Sequence, residues 1–197
     1  MEPTDTEKRI LKAAMLVFER DGFLGARMQV IADEAGISKA SLHYYFRTKE
    51  KLFDRIFDDY TASIVPLLST WEDGTDDWQP KVKHFVKELM RVFSESSLLF
   101  MAQELHRDPK KLEPRMAKRR TGPNPFLTYY ESLRAKGLVR DTDPRPLLVA
   151  MQSLCAYPSM NPKMLAGSLR MNAKEYDAFI TSYADDAADL LVRMMQK

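Results

Sequence analysis

Apolar residues recur at helical spacing along almost the whole chain, and this periodicity restricts the fold more than any other feature. In the first segment Ile10, Ala14 and Val17 fall on one face of a helix, and the same spacing returns in later segments as far as Met195. The sequence has no strand-like alternation of useful length and no internal repeat. It therefore predicts an all-α protein of about nine helices.

Glycine and proline residues divide this pattern into separate helices. Gly22 is expected to end the first helix, and Gly36 to adopt the positive φ of a tight turn between two short helices. Pro66 is expected to kink or end the fourth helix, because its ring removes one backbone hydrogen bond. The acidic stretch from Trp71 to Pro80 is predicted to be an exposed loop.

Composition excludes several classes of protein. Hydrophobic residues make up 45% of the chain, which is enough for a sizeable core, and the formal net charge of +2 says little about partners. Cys155 is the only cysteine, so no intrachain disulfide can form, and we expect a buried thiol in a reducing cytosol. The N-terminus lacks the features of a signal peptide, and no apolar run approaches the ~18 residues of a membrane helix. We therefore expect a cytoplasmic protein with no membrane partner.

Residues 27–46 carry the pattern of two short helices joined by a tight turn. Gly36 lies at the turn, and Ser38 is placed to cap the second helix. Leu42 and Phe46 are four residues apart and are expected to face inward onto the first helix. Five side chains of the second helix are then expected to point outward, namely Lys39, Ala40, Ser41, His43 and Tyr44.

These five residue types suit the major groove of DNA. Lysine pairs with phosphate or guanine, serine and histidine bond to phosphates or bases, a tyrosine hydroxyl reaches a phosphate, and alanine meets a thymine methyl group. The pattern alone also fits a helical hairpin in an ordinary core, or a helical interaction protein that binds no DNA. Local charge does not decide between them, since Asp33 and Glu34 precede the basic residues between positions 38 and 51.

Three stretches closely resemble the DNA-binding domain of the tetracycline-repressor (TetR) family: FERDGF (18–23), IADEAGISKASLHYYF (31–46) and TKEKL (48–52). The resemblance implies a TetR-type helix-turn-helix domain over residues 4–64, and a helical ligand-binding and dimerisation domain over residues 65–197. It also implies a ligand-responsive transcription regulator, most often a repressor. Such a protein binds a palindromic double-stranded operator as a homodimer and is released by a small-molecule effector.

The resemblance also assigns DNA contacts to individual residues. Nine positions are expected to approach bases or phosphates: Arg27, Gln29, Ser38, Lys39, Ala40, Ser41, His43, Tyr44 and Lys49. Lys49 is expected to bind a phosphate together with the adjacent helix N-terminus, while Tyr45 and Phe46 hold the recognition helix in place. His43 stands where tyrosine is more usual, so a phosphate contact there is expected to be weaker or pH-sensitive. Arg27 replaces the usual Ser or Thr cap, so this cap is expected from elsewhere, such as Gly25.

The second domain is expected to contain two binding surfaces. Apolar stripes on the last two helices predict a four-helix dimer interface formed by Leu147, Met151, Leu154, Phe179, Tyr183, Ala187, Leu191 and Met194. The middle segment, rich in methionine and aromatic residues, predicts an effector pocket lined by Phe85, Met90, Phe93, Phe100, Met101, Phe126, Tyr129 and Tyr130. For both sets the alternative is ordinary packing in the core of one chain.

An enzyme is not expected. The sequence has no Gly-rich phosphate loop, no nucleophile elbow and no paired metal motif. His43, His84 and His106 lie far apart, and their spacing to Cys155 indicates no nucleophile–base pair. We therefore expect no catalytic residue, no bound metal and no cofactor.

Overall fold

The computed structural model describes residues 4–72, 74–95 and 122–197. Over these ranges the chain forms nine α-helices, one short 3-10 helix and no β-strand, which confirms the predicted all-α fold. The helices are α1 (Asp5–Gly25), α2 (Met28–Glu34), α3 (Lys39–Tyr45), α4 (Lys49–Leu68), α5 (Trp78–Glu95), α6 (Pro125–Ala135), α7 (Arg145–Met160), α8 (Pro162–Ser168) and α9 (Ala173–Met195), and the 3-10 helix is Ser69–Trp71. The described residues form two compact units, the first ending at Ala62 and the second beginning at Ser63.

The first unit begins with a capped helix. The hydroxyl oxygen of Thr4 accepts a hydrogen bond from the backbone N–H of Glu7 at 3.2 Å, which satisfies one of the free donors at the start of α1. Ile10, Ala14 and Val17 are fully buried, as their spacing predicted. The sequence therefore placed both the start and the inward face of α1 correctly.

Gly22 interrupts α1 without ending it. Its φ of +68° lies in the left-handed region that favours glycine, so the helical backbone breaks where the sequence predicted. The helix then resumes and ends at Gly25. Gly25 therefore does not cap α2, and that prediction is wrong. Arg27 occupies the cap position of α2, and its side chain makes no capping bond.

Three phenylalanine rings join the end of α1 to the start of α4. The ring centroids of Phe18 and Phe23 are 5.6 Å apart, and those of Phe23 and Phe53 are 5.4 Å apart. Phe18 also meets Phe53 edge-on at 6.4 Å. All three side chains are buried, and aromatic rings of this size contribute a large share of the burial energy of a small helical unit.

Pro66 lies inside α4, which continues to Leu68, so the predicted break near residues 64 and 65 is wrong. A proline in a helix costs one backbone hydrogen bond and brings its ring against the preceding turn. Here that cost falls in the last turn of the helix, where few bonds remain to be lost. The Ser69 hydroxyl donates to the carbonyl of Pro66 at 2.6 Å and satisfies one of the free acceptors at this end.

In the second unit α5, α7 and α9 pack pairwise on one another and build most of its core. Helices α7 and α9 run antiparallel, as two tyrosine hydroxyls show. Tyr183 donates to the carbonyl of Leu154 at 3.3 Å, and Tyr176 donates to the carbonyl of Pro158 at 3.0 Å. None of the helices in the described ranges is long and apolar enough to cross a membrane.

The predicted acidic loop between α4 and α5 is exposed only in its middle. Trp71 and Trp78 are 3% and 7% exposed, and the second of them already begins α5. Asp76 and Asp77 between them are exposed, as predicted. The two indole rings are buried because each removes a large apolar surface from water. The prediction that this whole stretch is an exposed loop is therefore wrong at both ends.

Candidate nucleic-acid interface

Helices α2 and α3 form a helix-turn-helix with the turn that the sequence predicted. Gly36 has a φ of +65°, which lets the chain reverse direction within a few residues. The N–H of Ile37 bonds to the carbonyl of Ala32 at 3.0 Å across this turn. The hydroxyl oxygen of Ser38 then accepts from the N–H of Ser41 at 3.0 Å and caps α3. The cap fixes where α3 begins, and so fixes which side chains face outward.

The recognition helix α3 has a buried face and a fully exposed face. Leu42 is completely buried and Phe46 is 9% exposed, which confirms their predicted inward orientation. The opposite face is exposed throughout and consists of Lys39, Ala40, Ser41, His43 and Tyr44. Tyr44 extends furthest into solvent, at 85% exposure. This division leaves the outward side chains available to an external partner.

Tyr45 does not hold α3 in place, so that prediction is wrong. The side chain is exposed, and its ring meets the ring of Tyr44 edge-on with 5.5 Å between the centroids. Leu42 and Phe46 alone supply the inward packing from this segment. The sequence suggested otherwise because Tyr45 lies next to Phe46, but neighbouring residues at the end of a helix point in different directions.

Lys49 makes contacts that its sequence position did not predict. Its ammonium nitrogen donates to the backbone carbonyls of Phe23 at 2.8 Å, Leu24 at 3.1 Å and Ala26 at 3.2 Å. The same nitrogen lies 4.9 Å from the centroid of the Phe23 ring. An ammonium group has three donors, and here all three are used by the protein itself. The predicted contact between Lys49 and a DNA phosphate would require these bonds to be exchanged, and it stays a prediction.

Two arginines fasten the other helices of this unit to one another. Arg9 of α1 donates to the carbonyl of Ala35 at 3.2 Å, at the end of α2. Arg55 of α4 pairs with Glu7 of α1 at 2.8 Å, in a partly buried position. Charged donors form stronger hydrogen bonds than neutral ones. Arg9 thus links α1 to the end of α2, and Arg55 links α4 to α1.

Besides Ser38 and Lys49, two further predicted contact residues bond within the unit. Gln29 donates from Nε2 to Asp33 at 2.8 Å, one turn along α2. His43 Nδ1 lies 3.1 Å from the carbonyl oxygen of Arg47. Arg27 is exposed beside the start of α2. The side chains of Gln29 and His43 are therefore oriented before any DNA arrives.

Comparison with known proteins agrees with this geometry. Residues 10–56 match the family described as bacterial regulatory proteins, tetR family. Over 108 residues the chain is 33% identical to the HTH-type transcriptional regulator RutR of Escherichia coli strain K12, a match that covers 50% of this chain and 48% of RutR. The chain thus spans about half the length of this relative.

Residues 10–56 belong to the TetR family.

Two further TetR-family comparisons extend over most of the chain. The HTH-type transcriptional repressor SCO4008 of Streptomyces coelicolor is 24% identical over 173 residues, which are 84% of this chain and 86% of that protein. The crystal structure of the regulator SCO4942 from Streptomyces coelicolor has a TM-score of 0.64 at 20% identity, and covers 97% of this chain and 98% of that one. At such identity the likeness shows a shared fold. These relatives are named as regulators, which is a non-enzymatic role.

Half of the predicted dimer residues lie in the core of a single subunit. Leu147, Met151, Ala187 and Leu191 are each 5% exposed or less. They face inward because α7 and α9 pack on α5, so they offer no surface to a second copy, and their assignment as contact residues is wrong. Leu154, Phe179, Tyr183 and Met194 are only half-buried.

The predicted pocket residues that the structure describes are also packed in the core. Phe85, Met90, Phe93, Phe126, Tyr129 and Tyr130 are each 8% exposed or less, while Phe100 and Met101 lie outside the described residues. A surface cleft of about 420 Å³ occurs elsewhere in this unit, beside Leu127, Glu131, Arg134, Asp143, Pro144 and Arg145. It includes none of the predicted pocket residues. The burial of the six described residues therefore agrees with ordinary packing in the core of one chain, which was the alternative to an effector pocket.

Cys155 is fully buried in α7, as we expected for the only cysteine of the sequence. Burial raises the pKa of its thiol to about 12, so the group stays protonated at neutral pH. A protonated, inaccessible thiol does not act as a nucleophile. Across the described ranges, no group of three or more His, Cys, Asp or Glu side chains is arranged to hold a metal ion.

Proposed function

We propose that this chain is a ligand-responsive transcriptional repressor of the cytoplasm, which binds operator DNA as a homodimer and is released by a small-molecule effector. The observation that carries the DNA-binding part is the division of α3 into an anchored face and an exposed face, which consists of four small or polar side chains and one tyrosine. A helix of this width fits the major groove of B-form DNA. The names of RutR and SCO4008 support the same function.

Eight residues form the proposed contact surface: Arg27, Gln29, Ser38, Lys39, Ala40, Ser41, His43 and Tyr44. All eight are exposed. Lys39 and Arg27 supply positive charge, which attracts the phosphates and makes binding depend on salt. Ala40 and Ser41 are small and lie at the start of α3, so the helix can approach the base edges closely. Lys49 is excluded from this surface because its ammonium is already bound.

Selection of bound DNA from a random library tests this function. We expect an inverted repeat, because a twofold dimer presents two copies of α3. Lys39→Ala is expected to change base preference at one or two positions in each half-site. Lys174→Ala removes the same charge from an exposed site in α9 and serves as the control, with no change in preference. If no sequence is enriched by the wild-type protein, the interaction-protein alternative is favoured.

A homodimer through α7 and α9 is part of the proposal. The side chains next to the α7–α9 contact remain partly or largely exposed, and they are apolar: Leu154, Tyr157, Phe179, Tyr183, Leu190 and Met194. Tyr157 and Leu190 are 46% and 47% exposed. Two antiparallel helix pairs stacked on this face would form a four-helix interface. The proposal thus keeps the predicted helices but replaces the buried residues with their exposed neighbours.

The effector response rests on a buried polar group in the second unit. The indole N–H of Trp71 is buried and has no hydrogen-bond partner in the described structure. Its ring lies among Phe85, Phe126 and Tyr129, with centroids 4.6, 5.2 and 5.7 Å away. An unpaired buried donor costs about 1–3 kcal/mol. A ligand with an apolar body and a hydrogen-bond acceptor would satisfy this donor.

A compound that binds at Trp71 is expected to lower operator affinity by roughly 5–150-fold, which is the usual range of allosteric coupling. Small apolar carbonyl and carboxylate compounds can be screened by tryptophan fluorescence, and each compound that binds is added to an operator titration. Trp71→Phe removes the N–H and keeps an aromatic ring, so it should reduce the response while leaving operator affinity without ligand unchanged. Equal operator affinity with and without every compound that binds would contradict the effector role.

A further inference from the structure

The backbone fixes which nitrogen of the His43 ring carries its hydrogen. Nδ1 lies 3.1 Å from the carbonyl oxygen of Arg47, and a carbonyl oxygen only accepts hydrogen bonds. Nδ1 must therefore be the donor. In the neutral imidazole the other nitrogen, Nε2, then has a lone pair and no hydrogen. His43 consequently presents a hydrogen-bond acceptor at its outer end.

His43 is one of the eight residues of the proposed contact surface. The residue is exposed on α3, next to Tyr44 and one turn after Lys39. The Arg47 carbonyl that binds it belongs to the turn between α3 and α4, and the adjacent N–H of Phe46 is bonded to the carbonyl of Leu42 at 2.8 Å. The ring is therefore tied to a backbone segment that is itself fixed to α3.

The charged groups near α3 are largely engaged with other partners. On α2, which packs against α3, Asp33 accepts from Gln29 at 2.8 Å, and Glu34 lies 3.8 Å from Arg20. At the start of α4 the ammonium of Lys49 is bound by backbone carbonyls. Two exposed cations, Lys39 on α3 and Arg47 in the turn between α3 and α4, each lie four residues from His43 in the sequence. Within the described part of the chain, none of these groups donates a hydrogen bond to Nε2.

We propose that neutral His43 is a specificity-determining residue that accepts a hydrogen bond from the exocyclic amino group of an adenine or cytosine. These amino groups are the hydrogen-bond donors of the major groove. A phosphate offers only acceptors, so a neutral ring in this tautomer cannot bind one. The tyrosine that is more usual at this position has a hydroxyl that donates to phosphate, and the two residues therefore make different contacts. This inference rests on the proposed DNA-binding function.

Protonation reverses the chemistry of Nε2. The imidazolium ring keeps the bond from Nδ1 to Arg47 and gains a hydrogen on Nε2, so it donates at both nitrogens. A donor at this place can bind N7 or O6 of guanine, N7 of adenine, O4 of thymine or a phosphate. Acidification is therefore expected to weaken the preference for adenine or cytosine at one position of each half-site. The preference at the other positions should stay the same.

Selection of bound DNA at about pH 8 and about pH 5.5 tests this proposal. At the higher pH we expect wild-type protein to prefer adenine or cytosine at one position per half-site by roughly fivefold, the value of one hydrogen bond. At the lower pH that preference should disappear or change to guanine or thymine. His43→Gln has both a donor and an acceptor and does not titrate, so its preference should be the same at both pH values. His43→Leu should show no preference at that position.

Three results would overturn the inference: a guanine preference at the higher pH, a wild-type preference that does not change with pH, or a pH-dependent preference retained in His43→Leu. Circular dichroism of each variant checks that the helices are intact, and His84→Gln, which removes an exposed imidazole of α5 outside the contact surface, should keep the wild-type pH response. A failure of the proposed function gives a different result, because no sequence would then be enriched at either pH.

Discussion

Replacing Leu190 with glutamate is expected to yield folded monomers that have lost most of their affinity for the operator. Leu190 is 47% exposed on the proposed dimer face of α9, so the substitution leaves the core of the subunit intact. In a dimer the same side chain is covered, and an unpaired buried charge there is strongly destabilising. Loss of the second recognition helix removes the gain from bivalent binding, which is roughly 10²–10⁴-fold. Sedimentation and operator titration measure the two effects.

Val149→Glu is the matched control for Leu190→Glu. Val149 is 61% exposed on α7, and it lies about 140° around the helix from Leu154, on the side away from α9. The Val149→Glu protein should remain dimeric and keep wild-type operator affinity. A Leu190→Glu protein that sediments as a stable dimer would contradict the proposed interface. A wild-type monomer at micromolar concentration would contradict dimerisation itself.

Replacing Lys49 with methionine is expected to lower the free energy of unfolding by about 2–3 kcal/mol, because a hydrogen-bonded charge contributes about 1.5–3 kcal/mol. The variant leaves the carbonyls of Phe23, Leu24 and Ala26 without their shared donor. Operator affinity should also fall, since the bond between α4 and the end of α1 helps to position the helix-turn-helix. The slope of log affinity against log salt should not change, because no phosphate contact is removed. Chemical denaturation and operator titration at several salt concentrations provide the readouts.

Lys51→Met separates this role from a general loss of positive charge. Lys51 is exposed two residues further along α4, so its replacement removes the same charge without removing bonds to the carbonyls. Its stability should stay within about 0.5 kcal/mol of wild type, as is usual for surface positions. If Lys49→Met instead kept wild-type stability and lowered the salt slope by about 0.9, Lys49 would bind a phosphate.

Most of the fold was predictable because its signals are local. The cap at Ser38, the turn at Gly36 and the inward orientation of Leu42 each depend on residues within a few positions of one another. The same holds for α9, where Asn172 and Glu175 form a reciprocal capping box at the predicted start. Short-range hydrogen bonds and helical periodicity are visible in a single sequence.

The errors concern contacts between residues that are far apart in sequence. Lys49 reaches carbonyls more than twenty residues earlier, and a pattern of charges near a helix start does not reveal them. Leu147 and Ala187 lie on apolar stripes, but a stripe does not show whether its partner is another helix of the same chain or a second copy. The contact of α5 with both α7 and α9 decides this, and it became visible only in three dimensions.

The two faces of α3 have a consequence for how such a gene can diverge after duplication. Leu42 and the adjoining Phe46 hold the recognition helix in place, while the five outward residues contribute nothing to the core. Codon changes at those five positions can therefore alter the preferred operator with little cost in folding. A duplicated copy can acquire a new set of target promoters in a few mutational steps, while the rest of the protein is inherited unchanged.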